Sequence, residues 1–199
     1  MPGQRISIVG GPGCGKTTLS RRLAQLLDCP HIELDALFWG PEWTPAAREI
    51  FRRRTARVLA GCSWIVDGNY SVVRDVINAR SDTLIWLDYS LPRILTRLLC
   101  RTLRRILSRE VLWGTNRERL KDQLGRDSLL LYAVRTHGRR RRTYFCLQEH
   151  LACSHLAVIR LRNPRETERW LRMASRNCCQ TASDPAPDSD GSGGSVAGL

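Results

Sequence analysis

From residue 10 to residue 18 the chain reads Gly10-Gly11-Pro12-Gly13-Cys14-Gly15-Lys16-Thr17-Thr18, and Gly10, Gly15, Lys16 and Thr17 fit the pattern G-x-x-x-x-G-K-[ST]. Each residue type has a chemical reason to stand there. Glycines let consecutive backbone N–H groups curl round an anion without Cβ clashes. Lys16 brings a point charge for β and γ phosphates, the Thr17 hydroxyl is suited to ligate Mg2+, and a helix starting here adds favourable partial charge. The stretch predicts a nucleotide phosphate site. The bland alternative, a turn that merely joins strand to helix, is opposed by the flanks: Ile6, Ile8 and Val9 read as a short buried strand, and Leu19, Leu23, Leu26 and Leu27 share one helical face.

Phosphoryl transfer further needs a metal, a charge clamp and an oriented acceptor. Three aspartates end strand-like runs. Asp67 follows Trp64-Ile65-Val66 and suits a metal contact, or else an ordinary turn before Gly68. Asp35 follows His31-Ile32-Glu33-Leu34, where it would orient or deprotonate an acceptor hydroxyl, or else cap a helix or anchor a loop. Asp88 precedes a proline-started helix and reads as a cap or loop residue, with a place behind the metal as the alternative. For the clamp the candidates are Arg101 and Arg105, about one turn apart on a long helix, with Arg109 and Arg117 in a polar stretch beyond it. A solvated helix face competes with that role, and the run Arg139 to Arg142 has three readings: helix surface, phosphate clamp or polyanion contact. Trp39 and Trp43 either stack on an acceptor ring or pack their loop onto the core. Cys14, beside Lys16 at a helix N-terminus, is expected either to be acidified and open to alkylation or simply to fill space.

The elements that must position these residues alternate. A strand to Val9 leads into the Lys16 helix, and His31 to Asp35 reads as a second strand. An aromatic loop spans Ala36 to Thr44, and Thr44-Pro45 opens a helix to about Leu59 with Ile50, Phe51, Val58 and Leu59 inward. Trp64 to Asp67 reads as strand, then a helix contains Val73, Val76 and Ile77, and Thr83 to Asp88 is a strand buried on both faces. Leu91-Pro92 opens a long helix with Leu95, Leu98, Leu99 and Ile106 on one side. Ser108 to Gly125 is weakly periodic and is expected to be a mobile cover, followed by a helix around Ser128 to Thr136. Leu156 to Leu161 is the last strand, and Asn163-Pro164-Arg165-Glu166 caps the closing helix. Alternation of this kind implies a parallel sheet with helices on both faces and ligands at the carboxyl ends of its strands. Residues 1–176 are expected to form one domain with a lid at about 108–125, and residues 177–199, rich in Ser, Asp, Pro and Gly, a disordered tail.

Composition narrows the partners. The 199 residues carry a formal net charge of +13, and all but two of the 32 basic residues are arginine. Such a surface attracts phosphorylated small molecules or nucleic acid, and charge does not choose between them. Nucleic acid is the less favoured, since no zinc-finger spacing, helix-turn-helix signature or RNP motif accompanies the arginines. The eight cysteines show no C-x-x-C pair or metal-ligand spacing. No apolar run reaches the length of a membrane span and no signal-like segment precedes the first strand, so the expectation is a cytoplasmic protein without membrane partners. The sequence leaves monomer or dimer open.

The glycine-rich loop is similar to the G-x-P-G-x-G-K loop of adenylate kinases, and Val66-Asp67-Gly68 to the start of their D-G-F-P-R segment. Glu33-Leu34-Asp35-Ala36-Leu37-Phe38-Trp39, Asp67-Gly68-Asn69-Tyr70 and Asn116-Arg117-Glu118 resemble the adenylate-kinase-related proteins often called DNA topology modulation (FlaR-like) proteins. Over about residues 4–175 the chain thus resembles the P-loop nucleoside and nucleotide kinase group, which also holds shikimate-kinase-like enzymes. The resemblance implies a three-layer α/β fold with a five-stranded parallel sheet of order 2-3-1-4-5, ATP as donor, Mg2+ as cofactor and a basic lid. Asn69-Tyr70-Ser71 stands where adenylate kinases have the F-P-R that helps hold AMP. Asp35 resembles the acceptor-binding acid of shikimate-type kinases, which implies a hydroxyl-bearing acceptor. The expectation is an ATP- and Mg2+-dependent phosphotransferase on a small molecule, a nucleotide or nucleoside first. The alternative is a nucleotide-binding regulatory protein that contacts nucleic acid with little turnover.

Overall fold

The computed structural model describes residues 3–108, 111–112, 116–117, 129–151 and 156–181. Five parallel strands form its centre: β1 (Arg5–Gly10), β2 (His31–Glu33), β3 (Trp64–Asp67), β4 (Thr83–Leu87) and, after a short antiparallel hairpin of β5 (Val111–Leu112) and β6 (Asn116–Arg117), β7 (Ala157–Leu161). They lie in the order β2-β3-β1-β4-β7, the 2-3-1-4-5 arrangement that the sequence led us to expect. β1 occupies the middle, pairing Ile8 with Asp67 of β3 and with Ile85 of β4. The three inner strands are buried along almost their whole length, as runs of Ile, Val, Leu and Trp with helices on both faces must be.

Alternation along β1 divides the core. Ile6 and Ile8 pack with Leu19 and Leu23 of α1 (Lys16–Leu27), with Ile94 and Leu98 of α5 (Leu91–Ser108), and with Leu171 of α7 (Pro164–Thr181). Val9 turns the other way, joining Leu84, Trp86 and Tyr144 of α6 (Leu129–Leu151). A third cluster under the β2 edge gathers Leu34 of α2 (Leu34–Phe38), Phe51 and Leu59 on and just after α3 (Arg48–Val58), and Ile77 of α4 (Arg74–Arg80).

Several expected boundaries move. β2 stops at Glu33, and Asp35 lies in the first turn of α2. α3 begins at Arg48 with no side-chain cap, so Thr44-Pro45 does not open it; Ile50 and Val58 are exposed, and the buried face is Phe51, Thr55 and Leu59. On α5 the inward residues are Ile94 and Leu98, while Leu99 is 47% exposed. Ile94 and Leu98 are spaced i, i+4, and Leu99 turns about 100° further round the helix. α6 continues through Gly138 and all four arginines, with Ala133 and Tyr144 buried on either side of the glycine. The closing helix is capped as expected, Asn163 Oδ1 accepting from Glu166 N at 2.9 Å and Glu166 Oε2 from Arg162 N at 2.8 Å. It runs to Thr181, past the expected boundary at Arg176, and residues 182–199 lie outside the described residues. Of the expected lid at 108–125, only Ser108 and the β5–β6 pair fall inside them. Among the described residues no helix is long and apolar enough to cross a membrane.

Candidate functional site

β1 delivers Gly10 to the carboxyl edge of the sheet, and the chain turns through Gly11–Gly15 into α1. Gly15 is left-handed at φ 96°, and a Cβ there would stand 2.9 Å from Arg97 Nη2. A side chain at this position would be strained and would push into a guanidinium. A Cβ on Gly11 would approach Ile94 Cδ1 to 2.9 Å, and one on Gly13 would approach Leu98 Cβ to 3.2 Å, so the loop rests directly on α5. Lys16 Nζ donates to the carbonyls of Gly10 at 3.2 Å and Gly11 at 3.1 Å. Its ammonium is thus folded over the loop it closes.

Thr17 Oγ1 lies 3.5 Å from Asp67 Oδ1, so the two expected metal ligands stand together. Asp67 is only 4% exposed, and its other oxygen is 2.9 Å from His31 Nε2. The histidine holds one carboxylate oxygen and leaves the other turned to Thr17. Among the described residues no cluster of three or more His, Cys, Asp or Glu side chains is arranged to hold a metal alone. A hydroxyl and one carboxylate oxygen therefore fit Mg2+ of the kind that takes its remaining ligands from phosphate and water.

Asp35 Oδ1 accepts from the Tyr70 hydroxyl at 2.5 Å, and that hydroxyl is itself hydrogen-bonded by the Trp39 side chain. Burial, reinforced by the adjacent Asp35 charge, pushes the Tyr70 phenol well above its ordinary range and keeps it a donor. Trp39 packs edge-on against Phe38 and Trp43 against Trp39, with ring centroids 4.8 and 5.7 Å apart. Both indoles also line the cleft, so their packing role and their exposure to a ligand coexist.

The cleft encloses about 1300 Å³. Lys16, Thr17 and Thr18 line it together with Pro12, Gly13 and Gly15, as do the carboxylates Asp35 and Asp67 and, from α5 and α6, Arg97, Arg101, Arg104, Arg135 and Arg140. Of the expected clamp, Arg101 is in this lining. Arg109, like the side chains of Arg105 and Arg117, lies outside the described residues; the backbone of β6, which carries Arg117, passes beside the single 3-10 turn at Pro41–Trp43.

Of the two readings of Cys14 the space-filling one holds: Cys14 is 1% exposed, and burial pushes its thiol up despite Lys16 and Arg97, so it is not acidified. Its contribution to the loop is packing and a backbone N–H that donates to Gly11 O at 3.4 Å. Asp88, expected as a cap or loop residue, lies in the loop after β4 and accepts there from Arg141 Nε at 3.2 Å and from the Arg160 guanidinium, which lies over the rings of Trp86 and Phe145. That cluster joins β4, β7 and α6. It also divides the arginine run, with Arg141 on Asp88, Arg140 stacked on Tyr132 in the cleft wall, and Arg139 and Arg142 exposed.

Sequence reasoning passed over Arg97, which precedes Arg101 by one helical turn and obeys the spacing that singled Arg101 out. It also passed over His31, whose role depends on β2 lying beside β3.

A family model described as shikimate kinase matches residues 12–143. Among solved structures, a shikimate kinase from Bacteroides thetaiotaomicron aligns with a TM-score of 0.53 at 18% identity, covering 87% of this chain and 97% of that one. A gluconokinase from Sinorhizobium meliloti 1021 aligns at 0.49 and 19% identity, covering 92% and 98%. No curated protein matches the sequence. At 18% identity the likeness to the shikimate kinase structure speaks for the fold alone.

Proposed function

Because the chain belongs to the shikimate kinase family, a family of ATP- and Mg2+-dependent P-loop kinases of small molecules, we propose that it phosphorylates a hydroxyl group of a small anionic hydroxy acid held by Asp35. The observation that carries this reading is the cleft itself. Lys16, Thr17 and Asp67 open into the same space as Asp35 and as five arginines of α5 and α6.

Gly13, Gly15 and Lys16 hold the donor phosphates through main-chain N–H groups and the ammonium, and Thr17 and Asp67 hold the metal. A magnesium ion held by those two side chains would supply neutralisation of the phosphate charge. Asp35 accepts a hydrogen bond from the acceptor hydroxyl and aligns its oxygen with the phosphorus, while Tyr70 keeps the carboxylate from swinging away. Arg97, against the phosphate loop, and Arg101, one turn on, face the charge that spreads over the transferred group. The remaining wall arginines exceed what the donor requires, which supports an acceptor bringing its own anionic group.

A nucleoside or nucleotide acceptor is the second reading, favoured by the two indoles that line the cleft. Purified protein with Mg2+ and γ-labelled ATP should transfer label to a member of a panel containing shikimate, gluconate and other hydroxy acids. Label passing to nucleosides or nucleoside monophosphates instead would establish the second reading. No transfer above the bare ATPase rate to any of them would remove both.

A further inference from the structure

β1 and β3 pair as backbone as far as Ile8 and Asp67, and Gly68 N still donates to Ile8 O at 3.4 Å. Beyond that point the ladder continues through a side chain. The Asn69 carboxamide meets both peptide groups of Gly10, with Gly10 N donating to Oδ1 at 3.3 Å and Nδ2 donating to Gly10 O. Tyr144, 6% exposed and stacked on Trp86, donates its hydroxyl to the same Oδ1 at 2.8 Å. Gly10 fixes the orientation of the amide, since the flipped form would set its NH2 group against the Gly10 N–H and its oxygen against the Gly10 carbonyl, and the Tyr144 hydroxyl donates to the oxygen so placed. Gly10 opens the phosphate loop, and a Cβ there would stand 2.8 Å from both Cys14 Sγ and Leu87 O, so no side chain fits at this position.

We infer that Asn69 and Tyr144 are positioning residues that set the first peptide of the phosphate loop for ATP and tie it to α6. Lys16 and Asn69 share the Gly10 carbonyl. When the ammonium turns to a phosphate, Asn69 keeps that carbonyl paired, and the loop holds its shape without reorganising. Tyr144 transmits the same constraint to the helix whose Arg135 and Arg140 stand in the cleft wall. The residue after Asn69 is Tyr70, which holds Asp35, so one dipeptide anchors the donor and acceptor ends of the site. Three hydrogen bonds thus converge on one amide.

The inference rests on ATP occupying the loop, and the experiment separates the two. Calorimetry with Mg2+ and a non-hydrolysable ATP analogue is run on the full chain and on the variants Asn69→Ala and Tyr144→Phe, each checked for its melting temperature. The analogue should bind about tenfold more weakly to Asn69→Ala and about three- to fivefold more weakly to Tyr144→Phe, which loses one hydroxyl and no ring. In parallel, adding the analogue should slow amide exchange in α6 around Tyr144 in the parent protein and not in Asn69→Ala. A merely structural role would lower melting temperatures and leave affinity and the exchange response unchanged in folded variants, which overturns the inference. Should Asn69→Ala fail to fold, Tyr144→Phe decides alone. A parent protein that fails to bind the analogue overturns the ATP reading, and the inference with it.

Discussion

The two ends of the cleft are made of different material. At the donor end the ligand-facing groups are chiefly main-chain amides of one contiguous stretch, seated on α5 and closed by Lys16. The acceptor end is made of side chains from separate elements: Asp35 on α2, Tyr70 after β3, Trp43 in the 3-10 turn and arginines from α5 and α6. A main-chain cradle recognises what all nucleoside triphosphates share, while a side-chain wall can be altered one residue at a time. On the proposed reading, the general chemistry belongs to the first end and the choice of acceptor to the second.

Lys16→Ala strikes the shared end and should give the largest effect, a loss of phosphoryl transfer of about a thousandfold or more with the melting temperature nearly unchanged. Transfer at the parent rate would dissolve the distinction. Asp35→Asn tests the other end. It should lower kcat by about a hundredfold while calorimetry shows parent-like affinity for the ATP analogue. A matching loss of ATP affinity would mean that the ends are not separable in this way. Arg97→Ala, at the border, should weaken binding of the analogue by about tenfold, which titration at two salt concentrations would show shrinking as salt rises.

The smallest expected effect concerns Tyr70. Burial, then Asp35, raises its folded-state phenol above the unfolded value of about 10, so the stability held by the neutral hydroxyl is complete below that pH and is lost as pH climbs above it. Tyr89 and Tyr144 are also raised by burial, and so both proteins will weaken in alkali. Urea midpoints measured from pH 8 to 11 should therefore fall less steeply for Tyr70→Phe than for the parent. Parallel curves would show that Tyr70 is not held by Asp35 in solution.

The donor end was legible because its information is local: glycines fix the turn, and an apolar run on each side fixes strand and helix. The parallel sheet followed from the alternation of elements, and its strand order from the resemblance to P-loop kinases. At the acceptor end Asp35 was legible and its partner was not, because Asp35 meets Tyr70 across 35 residues of chain; the tie of Asn69 to Tyr144 behind the phosphate loop spans 75. The partners of Asp88 were hidden for the same reason, since Arg160 comes to it only when β7 pairs with β4. Cys14 left two readings open in the sequence, an acidified thiol beside Lys16 or a space-filling side chain, and desolvation under the loop outweighs the charge and decides for the second.

Gly11 and Gly13 lie on Ile94 and Leu98 with no side chain of their own between loop and helix. Bulk added at either position would act as a wedge, levering the arginine-bearing helix outward. Drift in this protein's sequence at those two sites would alter nucleotide grip and the electrostatics of the cleft in a single step, so neither property is free to change there independently of the other.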